Sequence, residues 1–390
     1  MLDHPESGAA RAGAADRYAW PDEGLAWVTE PRRHAPGLDS FMSHVHRLGA
    51  EQIMFTTWQP ASFRLYGENH KISRPPLDEK EAALIVNHLY GADGMARLQG
   101  GKDLNVMYVI GVSRTTTLRF RVNVSGTVTS RGDGANVTIR PVKDLPPPLE
   151  KQNVEAGILS SFQMKKGLMI VSGATGSGKS TLIGGMTLAK LVDPASHRNI
   201  IEFAEPIEFL FDRVKSPTSA INQSEIPRNI QSFDLALAGA MRRQPTDIIV
   251  GECRKPEHMQ AVIHAAISGH AAATTLHAEN VALTMQRVAS LLPAEQFKEA
   301  MISCAQSLRL VINQRLVKRP DGKWTPLREF LVFEKKFRDK LASAAADDWP
   351  HLTMEALERD GQSYEKAIAI ALEEGRIDEE TAADVRRELE

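Results

Sequence analysis

Leu168-Met-Ile-Val-Ser-Gly-Ala-Thr-Gly-Ser-Gly-Lys-Ser-Thr181 decides how the rest of the chain is read. The apolar run Leu168 to Val171 is too short for a helix of its own and reads as a buried strand. Gly173, Gly178, Lys179 and Ser180 follow at the spacing G-x-x-x-x-G-K-S, and Leu182 to Lys190 continues as a helix. Strand, glycine loop and helix form the setting a phosphate-binding loop requires. The loop residues Gly173, Ala174, Thr175, Gly176, Ser177, Gly178, Lys179, Ser180 and Thr181 are the candidate ligand contacts. Glycines let backbone N–H groups turn inward around phosphates where a Cβ would obstruct them. The helix N-terminus adds partial positive charge aimed at the anion. In such a loop Lys179 reaches the β- and γ-phosphates and the Ser180 hydroxyl ligates Mg²⁺.

A chain of 390 residues implies two or three domains. A net charge of −2 gives no basic field for a nucleic-acid partner. Only Cys253 and Cys304 occur, which argues for a reducing compartment and against a disulfide framework or a four-cysteine zinc site. No stretch approaches the roughly 20 apolar residues a membrane span needs, and no signal-peptide core precedes the globular pattern. Membrane association is therefore expected through partners.

Residues 1–23 read as a flexible tail, and residues 24–140 as an α+β domain. In the latter, 37–49 and 78–90 read as helices; 52–58, 61–66, 105–112, 118–124 and 136–140 read as strands, expected antiparallel. His44 and His46 are expected at the surface and Arg131-Gly-Asp133 in a turn. Residues 141–150, with three consecutive prolines, form a stiff linker. Residues 151–335 alternate buried strands (168–171, 199–203, 247–250, 272–276) with helices, the pattern of βαβ units and a parallel sheet. Residues 336–390 turn acidic and helical and are expected as an appendage.

Three further motifs surround the loop. Ile248 to Val250 is a hydrophobic strand that ends at Glu252, where a carboxylate can hold Mg²⁺ or orient the attacking water. In Ser268-Gly-His-Ala-Ala-Ala-Thr-Thr-Leu-His277, His270 and His277 bracket a short strand and are candidate sensors of the γ-phosphate. Asn199-Ile-Ile-Glu-Phe-Ala-Glu-Pro-Ile-Glu208 is a strand broken at Pro206 amid Glu202, Glu205 and Glu208. A carboxylate emerging there suits general-base work.

These four motifs, in this order, resemble the secretion superfamily ATPases of the PilT/GspE type. In those proteins a Walker A loop, an Asp box ending in D-P-I-E, a Walker B strand ending in V-G-E and a His box T-G-H…T-L-H follow one another. This chain has G-A-T-G-S-G-K-S, A-E-P-I-E, I-I-V-G-E and S-G-H…T-T-L-H. Leu89-Tyr-Gly-Ala-Asp-Gly94 with Gly101-Lys-Asp-Leu104 looks like the branch serving type IVB secretion and plasmid conjugation, the DotB/TraJ kind. The absence of a four-cysteine zinc insertion and of an A-I-R-N-L-I-R-E-like helix points toward the same branch.

The resemblance implies an α/β fold: a RecA-like P-loop NTPase core preceded by a PAS-like α+β N-terminal domain. It places Lys179 and Ser180 on the Walker A pair, Glu252 on the Walker B glutamate, and His270 and His277 on the His-box pair. The family's catalytic glutamate aligns with Ala204, so Glu205 is favoured as its substitute, with Glu252 and Glu208 sharing the work as the alternative. Arginines from the first domain are implied near the γ-phosphate, and Arg121, Arg131 and Arg140 are the candidates. The implied activity is ATP hydrolysis with Mg²⁺ by a hexameric homo-oligomer. It would drive inner-membrane secretion or pilus components from the cytoplasmic face, with no membrane span and no specific nucleic acid. An ATP-binding switch with little hydrolysis and a RecA-like DNA translocase are the rival readings.

Overall fold

Leu38, Phe41, Met42 and Val45 recur at helical spacing and are all buried, which seats helix α1 (Ala35–Arg47) on the core of the N-terminal unit. The computed structural model describes residues 35–65, 68–72, 76–113, 117–142, 145–293, 295 and 297–389. The tail expected over 1–23 lies outside them, as do Tyr66 of an expected strand and Lys143 and Asp144 of the linker. The chain divides into two units, Met1–Asp144 and Leu145–Glu390.

The first unit continues with β1 (Gln52–Thr56), β2 (Ser62–Leu65), β3 (Glu68–Lys71), α2 (Glu79–Tyr90) and α3 (Gly94–Gln99). It closes with β4 (Leu104–Gly111), β5 (Thr117–Thr129) and β6 (Gly132–Val142). Asp78 caps α2 by accepting a hydrogen bond from the Glu81 amide at 2.7 Å, and Gly91 at φ 135° ends it. All strands pair antiparallel in the order β3-β2-β1-β6-β5-β4. Alternation sends Phe120, Val122 and Val124 of β5 and Val137 and Ile139 of β6 into the core, leaving Arg121 and Arg140 on the other face. His44 and His46 are half-buried rather than at the surface, His46 edge-on to the Phe120 ring at 5.9 Å, because α1 lies down on the sheet.

In the second unit a single 3-10 turn (Leu149–Lys151) leads into α4 (Ala156–Ser161), β7 (Gly167–Ser172), α5 (Lys179–Val192), β8 (Asn199–Ala204) and β9 (Ala220–Glu225). Then come α6 (Phe233–Met241), β10 (Asp247–Glu252), α7 (Pro256–Ile267), β11 (Ala271–Leu276), α8 (Val281–Ser290) and α9 (Phe297–Ser307). Strands β12 (Leu308–Lys318) and β13 (Trp324–Val332) precede α10 (Lys335–Ser343), α11 (Trp349–Asp360), α12 (Tyr364–Glu373) and α13 (Glu379–Leu389). The sheet order is β13-β12-β7-β11-β10-β8-β9, parallel throughout except for the β12–β13 hairpin. Every residue of β7 and β11 is buried, as the centre of a sheet covered on both faces demands. Because β7, β11, β10 and β8 run parallel, their C-terminal ends share one edge, and loops leaving that edge form the binding crevice of such a sheet.

The segment after 335 is bound into this unit. Phe337, Leu341 and Trp349 belong to the main core cluster, and Tyr364, Ile368 and Val385 pack with Val317 and Leu327 of the hairpin.

Candidate active site

The phosphate loop occupies the turn from β7 into α5. Gly173, Gly176 and Gly178 take φ of 144°, 81° and 84°, values that L side chains rarely adopt. Space is as restrictive as conformation, since a Cβ on Gly173 would lie 2.3 Å from the Gln314 carbonyl oxygen. The Lys179 ammonium, buried and at the start of α5, donates to the carbonyls of Gly173 at 2.9 Å and Ala174 at 2.8 Å. It is thus folded over the mouth of the loop. Burial pulls it below the ordinary lysine range, and the charges of Glu252 and Glu208 oppose that shift.

Glu252 ends β10, beside the loop on the same edge. Arg254 grips its carboxylate with both arms, Nε to Oε1 at 2.8 Å and one terminal nitrogen to Oε2 at 2.8 Å. His277 Nε2 lies 3.1 Å from Oε1. Burial by itself would push the Glu252 carboxyl up. The hydrogen bonds and charge of Arg254, with His277 and Lys179, more than offset this and hold it below the usual carboxylate range. A bulge between Val250 and Glu252 gives the strand end its direction, and the Thr275 hydroxyl donates to the Gly251 carbonyl at 2.8 Å within it.

Glu205 is exposed just past the end of β8, before a cis peptide to Pro206, and its charge acts on Arg254. Ala204 is buried, and a Cβ on Gly251 would meet its Cβ at 2.9 Å. The small pair lets β8 and β10 close together where the family motif has a glutamate. Glu202 points elsewhere, its carboxylate accepting from Gln223 Nε2 at 2.6 Å.

Lys179, Glu252 and His277, with Glu205 and Glu208 in electrostatic reach, are therefore brought to one edge. His270 is not. It precedes β11 at the opposite edge, where its Nδ1 faces the Ala265 carbonyl at 3.1 Å and its own carbonyl accepts from the Gly167 amide at 2.9 Å. The six residues of β11 separate the two histidines, roughly 20 Å at a strand's rise. Arg121, Arg131 and Arg140 belong to the first unit. Arg121 and Arg140 are register partners on β5 and β6, Arg140 Nε donates to Gln52 Oε1 at 3.1 Å, and the Arg131 guanidinium lies 4.2 Å over the Trp58 ring.

Sequence reasoning passed over Arg254, although in Glu252-Cys253-Arg254 the period of a strand sets the acid and the base on one side. It also passed over the hairpin β12–β13, which walls a cavity of about 650 Å³ beside the loop. Ala174 to Ser177 form one side of it, and Arg315, Trp324 and Glu388 the other, with Arg315 and Glu388 paired at 3.3 Å. Mg²⁺ takes few protein ligands and completes its shell with water and phosphate oxygens. A hydroxyl on the first turn of α5 (Ser180) and an ionised carboxylate (Glu252) fit that habit.

The chain matches the type II/IV secretion system protein family over residues 38–346. It is 29% identical over 285 residues to the type IV pilus retraction ATPase PilT of Pseudomonas aeruginosa, covering 73% of this chain and 79% of that one. Among solved structures, the ATPase DotB of Legionella pneumophila superposes with a TM-score of 0.76 at 31% identity, over 92% of this chain and 98% of that one. The pilus retraction motor PilT with bound ADP shares the fold, with a TM-score of 0.73 at 23% identity over 89% and 96% of the two chains. The chain belongs to the type II/IV secretion system protein family, as a secretion-superfamily ATPase of the PilT/GspE type close to DotB.

Proposed function

We propose that this protein is a MgATP-hydrolysing ring motor, six copies closing through heterologous contacts, that energises a type IVB secretion or conjugation machine or a related pilus. The observation that carries the reading is the meeting, on one sheet edge, of a left-handed glycine loop, a buried lysine and a carboxylate fixed in its ionised form.

Loop amides and the α5 N-terminus bind the phosphates, and Lys179 exchanges its two carbonyl partners for phosphate oxygens. Ser180 and Glu252 would hold Mg²⁺, which would neutralise phosphate charge. Glu252, gripped by Arg254, is suited to holding and orienting rather than accepting a proton. Glu205, exposed beside it, is proposed to take the proton of the attacking water. His277 keeps Glu252 in place and signals its state to the strand β11. The nucleoside occupies the cavity against Arg315 and Trp324. Arg121, Arg131 and Arg140 are proposed as cations that complete a neighbouring site once the ring forms, and residues 141–150 as the hinge. No helix among the described residues is long and apolar enough to cross a membrane, and we place the motor at the cytoplasmic face of the inner membrane through partners.

Ala204 at the family's glutamate position favours one second reading, an ATP-binding switch with little turnover. ATP turnover per subunit against protein concentration, with Lys179→Ala as the blank, decides between them. A motor completed between subunits gives turnover that climbs and then levels, and Lys179→Ala lowers it by about 10²-fold or more. Tight MgATP binding with turnover at the blank across the whole range would establish the switch.

A further inference from the structure

Gln314 of β12 and Arg328 of β13 join the phosphate loop to the segment by which the chain enters the second unit. The Gln314 side-chain amide donates from Nε2 to the Ser177 carbonyl at 2.5 Å, and its Oε1 accepts from Arg328 Nε at 2.7 Å. Donor and acceptor ends are both committed, so its orientation is fixed. Arg328 is 1% exposed, and its other nitrogens donate to the Asn153 carbonyl at 2.7 Å, the Gln152 carbonyl at 2.9 Å and the Glu155 carboxylate at 3.1 Å. A second tie runs beside the first. Gln152 Nε2 donates to the Pro147 carbonyl at 2.6 Å and the Thr181 carbonyl at 3.2 Å. Residues 147–155 are thus tied to the loop at Ser177 through Arg328 and Gln314, and to the first turn of α5 directly, by Gln152 on Thr181.

The fit leaves little slack. A Cβ on Gly178 would lie 2.8 Å from Gln314 Nε2, and one on Gly185 would lie 2.2 Å from Gln152 Nε2. A shift of the loop must therefore carry Gln314 with it or break its bond. Breaking it strands a polar group in a buried setting, which is costly. A guanidinium buried to this degree, spent on two main-chain carbonyls and the Glu155 carboxylate of one short segment and on a single glutamine, fixes where that segment sits relative to the loop.

We propose that Gln314 and Arg328 are positioning residues that transmit the state of the phosphate loop to residues 147–155, the exit of the proline-rich linker. The proposal rests on the nucleotide-binding reading of the loop. It makes the linker's anchorage part of the nucleotide response and gives the hairpin β12–β13 a mechanical role. A purely structural role for the pair would lower stability without separating the two responses.

Hydrogen exchange of the full chain with and without MgADP tests this. In the unmodified protein, amides of 173–181 and of 149–155 both slow on MgADP addition, the latter by at least about 5-fold, the low end of ordinary coupling between sites. In Gln314→Met the loop stays protected while the response of 149–155 weakens to what the Gln152–Thr181 tie alone carries, and kcat falls with KM little changed. Arg328→Lys, which keeps the charge and loses the fork, gives the same separation. A response of 149–155 that keeps its full size in both variants, or that is missing from the unmodified protein while 173–181 is protected, overturns the coupling. Absence of protection at 173–181 overturns the nucleotide reading and the coupling with it.

Discussion

The two edges of the parallel sheet carry similar charges and use them in opposite ways. At the N-terminal edge, Asp247 is buried and saturated: Lys190 Nζ lies 2.7 Å and Arg198 3.3 Å from its carboxylate, and the Thr246 hydroxyl donates to it at 2.7 Å. At the C-terminal edge, Glu252, Arg254 and His277 are partly open, their side chains 26%, 56% and 45% exposed. One cluster is closed on itself and ties β10 to α5 and β8. The other pairs its groups with one another but leaves them accessible to a ligand. Charge near a strand end does not mark a site by itself; charge left accessible where parallel strands emerge does.

Breaking the closed edge should give the largest effect. Asp247→Ala takes the buried Lys190 ammonium's carboxylate away, while Arg198 keeps the Met164 and Gln163 carbonyls, and is expected to cost about 3–5 kcal/mol, the usual penalty for removing one partner of a buried pair. The midpoint of urea unfolding checks this, and a small shift would mean the cluster relaxes into water. At the open edge, Arg254→Leu acts mainly on titration. The Glu252 carboxyl is held low in the folded protein, so its favourable contribution is present above the unfolded value and lost as pH falls through the folded one. Without Arg254 that loss begins at higher pH, and the acid limb of turnover moves upward. A limb that stays in place would show that Arg254 does not set the titration. The smallest effect is expected at His270, which faces a main-chain carbonyl at the closed edge. His270→Ala should keep turnover within about twofold, as surface changes away from a site generally do, whereas His277→Ala should lower it by roughly tenfold, within the range of one lost positioning contact.

Much of this contrast is legible in the sequence, for reasons that differ by element. The glycine spacing from Gly173 to Ser180 specifies backbone conformation as well as chemistry, and the loop lies where its letters place it. Strands β7, β8, β10 and β11 announce themselves as short apolar runs. The polar edge strands β3 (Glu-Asn-His-Lys) and β9 carry no alternation worth reading, and β12 follows α9 with no breaker between Ser307 and Leu308. With β12 unread, Gln314 and the cavity wall were out of view. The two histidines of Ser268 to His277 look equivalent on paper, yet a strand has two ends. Once its direction is fixed only His277 reaches Glu252. Arg254 was within reach of strand periodicity alone.

Glu252→Gln puts the central claim to the most direct test. The change keeps the size of the side chain and its contact with His277, and removes the charge gripped by Arg254. MgATP affinity and phosphate release should be measured on the same preparation. Affinity should stay within about threefold, because the loop does the binding, while release falls by about 10²-fold or more, as when one charge-stabilising group is lost. Undiminished phosphate release by Glu252→Gln would contradict it and remove the C-terminal sheet edge as the seat of the chemistry.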